Sequence, residues 1–257
     1  MAYQIKITLR GIDPPVWRRL RVPGTITFEQ LHQVIQASFG WLNYHLYNFQ
    51  LGSTVFAQGD SVYTDEDLYG AGSKRLDPDA NLIGAFLSKG DELVYEYDFG
   101  DGWIHDIVVE KQLKELKKYE TPLCLGGARH RPPEDVGGIG GYESFLESIR
   151  DPKDPEREDY LRWAQKDTGG RLFDPDYFYI DEVNSRLEHV LTDTPEFARS
   201  LLAEGQGLVG VLEMGWVGPL VKSGDQVFDW GRLGRLVSML DDGVPIAIRV
   251  VAPPRRR

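Results

Sequence analysis

Cysteine is nearly absent from this chain. The single Cys124 among 257 residues leaves no intrachain disulfide and no zinc site built on several thiolates. Long apolar runs are missing as well: no stretch approaches the ~20 residues that span a bilayer. The opening M-A-Y-Q-I-K-I starts a strand-like alternation without the apolar centre of a signal peptide. No membrane association is therefore expected, and the cytoplasm is the expected compartment. Nor is there a surplus of basic charge. Forty Asp and Glu outweigh 29 Lys and Arg, for a net charge of −11. Such a surface repels phosphate backbones unless a local basic patch overrides it. Three groups could supply one: Arg18, Arg19 and Arg21; Arg129, His130 and Arg131; and Arg255–Arg257. Strand alternation splits the first between two faces, and the last is a terminal tail. Nucleic acid is accordingly not an expected partner. The sequence also contains neither G-x-x-x-x-G-K-[ST] nor H-E-x-x-H, the usual signatures of nucleotide hydrolysis and of zinc peptidases.

What is present is an ordinary globular composition, 41% hydrophobic and 27% charged, and one dense segment. Tyr95–His105 reads Y-E-Y-D-F-G-D-G-W-I-H. Apolar and polar residues alternate on both sides of Gly100–Asp101–Gly102, the pattern of a β-hairpin. A three-residue loop there would pair Phe99 with Trp103, Tyr97 with His105, Tyr95 with Ile107 and Leu93 with Val109 on one face. His105 is then expected inside an aromatic core, with the acids behind it or at the tip.

The rest predicts an α+β fold, a mixed or antiparallel sheet of hairpins packed against helices. Tyr3–Ile12 and Val16–Val22 read as strands. Thr27 and Gln30 have capping-box spacing at the start of a helix that Gly40 ends. Tyr44–Leu51 alternates as a strand, and Gln58–Asp79 reads as an acidic loop. Pro122–Gly141, rich in glycine and proline, is expected to be irregular. Gly141–Arg150, Pro155–Gln165 and Pro175–Val190 read as helices. Beyond Thr192, alternating patterns suggest a small α/β appendage with helices at Pro195–Glu204 and Asp229–Leu240 and strands at Gly210–Trp216 and Pro245–Val251. The expected division is residues 1–191 and residues 192–257.

The hairpin, together with I-D-P-P-V-W-R-R-L-R-V-P (Ile12–Pro23), F-G-W-L-N-Y-H-L (Phe39–Leu46), R-P-P-E-D-V-G-G-I-G-G-Y (Arg131–Tyr142) and F-D-P-D-Y-F-Y-I-D-E-V-N-S-R-L (Phe173–Leu187), resembles the plasmid pRiA4b ORF-3-like protein family. The likeness spans residues 3–190. It implies an α+β domain often encoded on plasmids and insertion elements, and it implies no reaction.

The candidate site lies where the hairpin tip would meet the Pro132–Gly141 loop, and its expected ligand-binding residues are Tyr97, Asp98, Asp101, Trp103, His105, Glu134 and Asp135. A histidine among carboxylates can hold a divalent cation and activate its bound water. This gives an alternative reading, a metal-dependent hydrolase using Asp101, His105, Glu134 and Asp135. Against it stand plainer roles: a buried His105 satisfied by Tyr97 or a backbone group, and carboxylates that cap loops through backbone amides. Trp41, His45 and Phe49 form a second polar-aromatic group, with Trp41 read as a core plug. Cys124 reads as a small buried hydrophobe. Gly137–Gly138 and Gly140–Gly141 invite a phosphate cradle, which Glu134 and Asp135 oppose. The expectation is a binding or interaction module with no cofactor, a divalent metal being the alternative. Its expected partner is a protein or small molecule; an accessory role beside nucleic acid is the third reading.

Overall fold

The computed structural model describes residues 1–58, 70, 72–114, 121–168 and 170–193, and short pieces between 211 and 237. The expected elements at Pro195–Glu204 and Pro245–Val251, most of the acidic Gln58–Asp79 segment and the Arg255–Arg257 tail lie outside the described residues. The chain forms two compact units, Met1–Glu188 and His189–Arg257.

Among the described residues, the larger unit is an eight-stranded mixed sheet with four α-helices. Its strands are β1 (Ala2–Leu9), β2 (Trp17–Pro23), β3 (Tyr47–Leu51), β4 (Thr54–Phe56), β5 (Lys74–Leu76), β6 (Glu92–Tyr97), β7 (Trp103–Leu113) and β8 (Leu123–Ala128), ordered β5-β4-β3-β6-β7-β1-β2-β8. Every pairing is antiparallel except β4 with β5. One face carries the core, in which Ile5, Ile7, Leu20, Phe49, Leu93, Tyr95, Trp103 and Ile107 are buried. Helix α1 (Phe28–Phe39) packs there through Phe28, Leu31 and Ile35. Its ends follow the sequence. Thr27 and Gln30 form the full capping box, and Gly40 closes the helix at φ 82°, a left-handed conformation that glycine adopts without a Cβ penalty.

Helix α2 (Gly138–Arg150) begins three residues before its expected start, α3 (Arg157–Asp167) is shifted two residues along the chain, and α4 (Ile180–Leu187) is shorter than expected at both ends. The glycines at the start of α2 are admitted into the helix. Strand β8 corrects the expectation of irregular chain across Pro122–Gly141. It joins the sheet edge despite Gly126 and Gly127, because Phe178 and the Trp17 backbone occupy the space a side chain at Gly127 would need. Asn184 of α4 covers its outer side, accepting from the Cys124 amide at 2.7 Å and donating to the Cys124 carbonyl at 3.3 Å. A side-chain amide thus does what a further strand would do, which blunts an open edge.

Three of the arginines expected in basic patches, Arg18, Arg129 and Arg131, are buried in the fold. Arg18 is buried between the rings of Phe39 and Phe178 and donates to the carbonyls of Trp17, Ser38, Ala128 and Arg129. Burial, and then the nearby Arg186, lower its pKa to about 9. Arg131 is buried over Trp41, donates to the Gly40 and Pro132 carbonyls, and pairs with Asp167 at 2.8 Å. Arg129 reaches the Pro14 carbonyl and Asp176.

In the smaller unit, β9 (Val211–Gly215), β10 (Gly218–Ser223) and β11 (Gln226–Asp229) form an antiparallel sheet ordered β11-β10-β9. Arg232 lies over Phe228 and makes a buried ion pair with Asp193 at 2.7 Å.

Candidate functional site

The central hairpin forms, with its register displaced by two residues. Tyr97 pairs with Trp103, Tyr95 with His105 and Leu93 with Ile107, so the loop is the five residues Asp98–Gly102. A displacement of two preserves the faces. Tyr95, Tyr97, Trp103 and His105 are all buried, as the alternation requires, whereas Phe99 leaves the strand and is 49% exposed. The cause is Asp98, which takes a left-handed φ of 59°. Its Oδ1 accepts from the amides of Gly100 at 2.9 Å and Asp101 at 3.3 Å. This side-chain turn ends β6 earlier than hydrophobic alternation alone would place it.

The structure does not bring His105 to the acids, which corrects the ligand set of the hydrolase reading. His105 is fully buried; its Nδ1 faces the Trp103 carbonyl at 3.0 Å, and its Nε2 accepts from the Trp41 indole at 3.3 Å. Both ring nitrogens are used, so the imidazole is neutral with its proton on Nδ1. Burial accordingly lowers its pKa to about 4. Trp103 packs against Trp41 with ring centres 5.8 Å apart, inside the core.

The residues that do converge are Asp98, Asp135 and His45. His45 Nε2 lies 3.5 Å from Asp98 Oδ2 and 3.2 Å from Asp135 Oδ1. Three chain segments meet there, each fixed by hydrogen bonds. The Asp98 amide donates to the Leu46 carbonyl at 3.0 Å, and the Tyr44 amide donates to the Tyr97 hydroxyl at 3.0 Å. Asp101 Oδ2 accepts from the Gly137 amide at 3.1 Å, tying the hairpin tip to the segment that holds Asp135. Gly138 is required beneath it: at φ 68°, a Cβ would fall 2.7 Å from the Asp101 carbonyl oxygen.

Beside the cluster, Glu134 Oε1 accepts from the Leu42 amide at 2.6 Å and the Tyr97 hydroxyl at 3.3 Å. Glu134 is buried and its Oε2 has no hydrogen-bond partner. Burial, the largest influence, raises its carboxyl pKa, opposed by Arg131 and by the Leu42 amide. The Tyr97 hydroxyl is likewise raised by burial and by Glu134.

A closed hydrogen-bond circuit holds the segment that carries His45. The Asn43 amide donates to Gln36 Oε1 at 3.0 Å, and Gln36 Nε2 donates to the Tyr95 hydroxyl at 2.9 Å. That hydroxyl meets His32 Nδ1 at 2.8 Å, and His32 Nε2 meets Asn43 Oδ1 at 2.7 Å. Burial lowers the His32 pKa to about 3, so this ring too is neutral. Sequence reasoning placed His45 in a separate aromatic group, and more than fifty residues separate it from Asp98. The available signal was its position in the same short segment as Trp41, the residue whose indole meets His105 in the core.

These features define an α+β module whose polar and aromatic side chains gather at one hairpin tip. The chain belongs to the plasmid pRiA4b ORF-3-like protein family, whose profile matches residues 1–182. It is 37% identical over 162 residues to the uncharacterized protein y4hQ of Sinorhizobium fredii, covering 63% of this chain and 79% of that one. It is also similar to the crystal structure of a protein of unknown function, MM3350 from Methanosarcina mazei Go1. That comparison has a TM-score of 0.60 and 32% identity, covering 70% of this chain and 96% of the other.

Proposed function

We propose that the protein is a binding module whose recognition surface is the hairpin tip of the larger unit. The supporting observation is the company the polar cluster keeps. Leu42, Tyr44, Leu46 and Phe99 are 37%, 67%, 70% and 49% exposed, while the adjoining Trp41, Tyr47, Tyr97 and Asp98 are buried. Large apolar side chains held in water by an ordered backbone, around a polar centre, suit a partner that covers them. The partner in this reading is a protein segment with apolar side chains flanking a polar group that reaches the acids.

The test is capture from extracts of the native host by the wild-type chain and by a Leu46→Ser/Phe99→Ser variant. Both positions are exposed, so the variant should unfold at the wild-type temperature. The reading expects a stoichiometric partner with the wild type that the variant loses. Equal capture by both would overturn it.

A further inference from the structure

We propose that His45, Asp98 and Asp135 form a binding site for one divalent transition-metal ion. Their ligand atoms lie within 4.8 Å of one another. An ion with bonds of about 2.0–2.2 Å holds neighbouring donors roughly 2.8–3.6 Å apart, depending on whether the angles are octahedral or tetrahedral. The two histidine–carboxylate separations, 3.5 and 3.2 Å, fall in that range.

A second observation concerns direction. His45 Nε2 is buried and has no hydrogen-bond partner, although two carboxylate oxygens stand close by. A simple imidazolium–carboxylate pair would place an oxygen in line with the ring N–H; here neither contact has that geometry. The ring nitrogen and two carboxylate oxygens thus stand close together with no hydrogen bond to that nitrogen. Asp98 is prepared for this role, since the amides of Gly100 and Asp101 hold Oδ1 and leave Oδ2 to the cluster. Next in the chain to Asp135, the buried Glu134 has an Oε2 without a hydrogen-bond partner.

The donor set decides the class of ion. One imidazole with two carboxylates favours zinc, manganese, cobalt or nickel over calcium and magnesium, which prefer oxygen alone. Three protein donors leave at least one position for water or for an oxygen of a ligand. Asp135, with 68% of its side chain exposed, puts solvent on that side. Uptake of the ion is measured without any partner, so it stands or falls separately from the recognition surface.

The experiment is equilibrium dialysis of the chelator-treated full chain against zinc, manganese and nickel, with calcium and magnesium as controls, read by elemental analysis. Cobalt supplies a visible spectrum that reports imidazole and carboxylate ligation. One transition-metal ion per chain is expected for the wild type, with affinity at least about 10-fold weaker in His45→Ala and Asp135→Asn. Asparagine tolerates the left-handed φ of 57° at position 135, so Asp135→Asn should retain the wild-type fold by circular dichroism. No stoichiometric ion in the wild type, or unchanged retention in both variants, would overturn the proposal.

Discussion

Asp101 accepts a hydrogen bond from the backbone of Gly137 at 3.1 Å, and this contact joins two segments that the sequence separates by more than thirty residues. It brings the chain around Asp135 against the hairpin tip, where Asp98 is already fixed by its own turn. Gly138 makes the approach possible, because the Asp101 carbonyl occupies the place of its missing side chain.

Gly138→Ala should therefore loosen the docked segment. The substitution combines a left-handed φ of 68° with a contact of 2.7 Å. The expected cost is about 1–3 kcal/mol, measured by urea unfolding, together with faster amide exchange at residues 134–138. A variant as stable and as protected as the wild type would contradict the close approach.

Tyr95→Phe removes one hydroxyl from the circuit that carries the His45 segment. Gln36 and His32 would each lose a buried partner, at about 1–3 kcal/mol. Hydrogen exchange should rise selectively at residues 42–46. A uniform change across the sheet would mean that the circuit supports the core alone.

Three histidines should make the protein acid-sensitive at mild pH. Burial lowers the pKa of His32 to about 3 and of His105 to about 4, and holds His130 well below its ordinary value. An unfolded histidine titrates near 6.5, so below that pH the unfolded chain binds protons that the folded chain refuses. Stability contributed by the neutral rings is present above pH ~6.5 and is lost as pH falls toward 4. Each ring contributes at most ~1.4 kcal/mol per pH unit, reached below the unfolded pKa, so three rings lose about 4 kcal/mol between pH 7.5 and 5.5. Glu134, whose pKa is raised, acts in the opposite direction. Denaturant midpoints at pH 7.5 and 5.5 test this; equal midpoints would show that the rings are not held neutral.

Arg18→Lys should behave nearly as badly as Arg18→Ala. The guanidinium donates to four carbonyls while lying between two aromatic rings, and an ammonium cannot reproduce that planar set. A loss of about 3–5 kcal/mol is expected from thermal or urea unfolding. Rescue by lysine would mean that charge alone is needed.

The features legible in the sequence were those set by local chemistry. Alternation identified the buried face of the central hairpin, and the Thr27–Gln30 box and Gly40 fixed α1 at both ends. The hairpin register was missed by two residues because Asp98 leaves the strand to cap its own loop, a choice that hydrophobic pattern does not record. Strand β8 was missed because its glycines read as loop, whereas Phe178 and Asn184, distant in sequence, supply the cover that makes an edge strand there. The convergence of the Pro132–Gly141 loop with the tip followed from residue chemistry. The entry of His45 into that cluster depends on the pairing of β3 with β6 and on the Leu46–Asp98 hydrogen bond. Both are long-range facts of the sheet.

The central claim is that recognition takes place at the hairpin tip. Its most direct measurement is an amide-resolved NMR screen of the full chain with a library of short peptides and small fragments. The account predicts that hits perturb residues 41–46, 98–101 and 134–138 together, and that Leu46→Ser/Phe99→Ser abolishes those shifts. Among the described residues, a cavity lined by Arg21, Leu123, Asp181 and Asn184 lies between β8 and α4. Hits gathering there, with the tip unperturbed, would contradict the account.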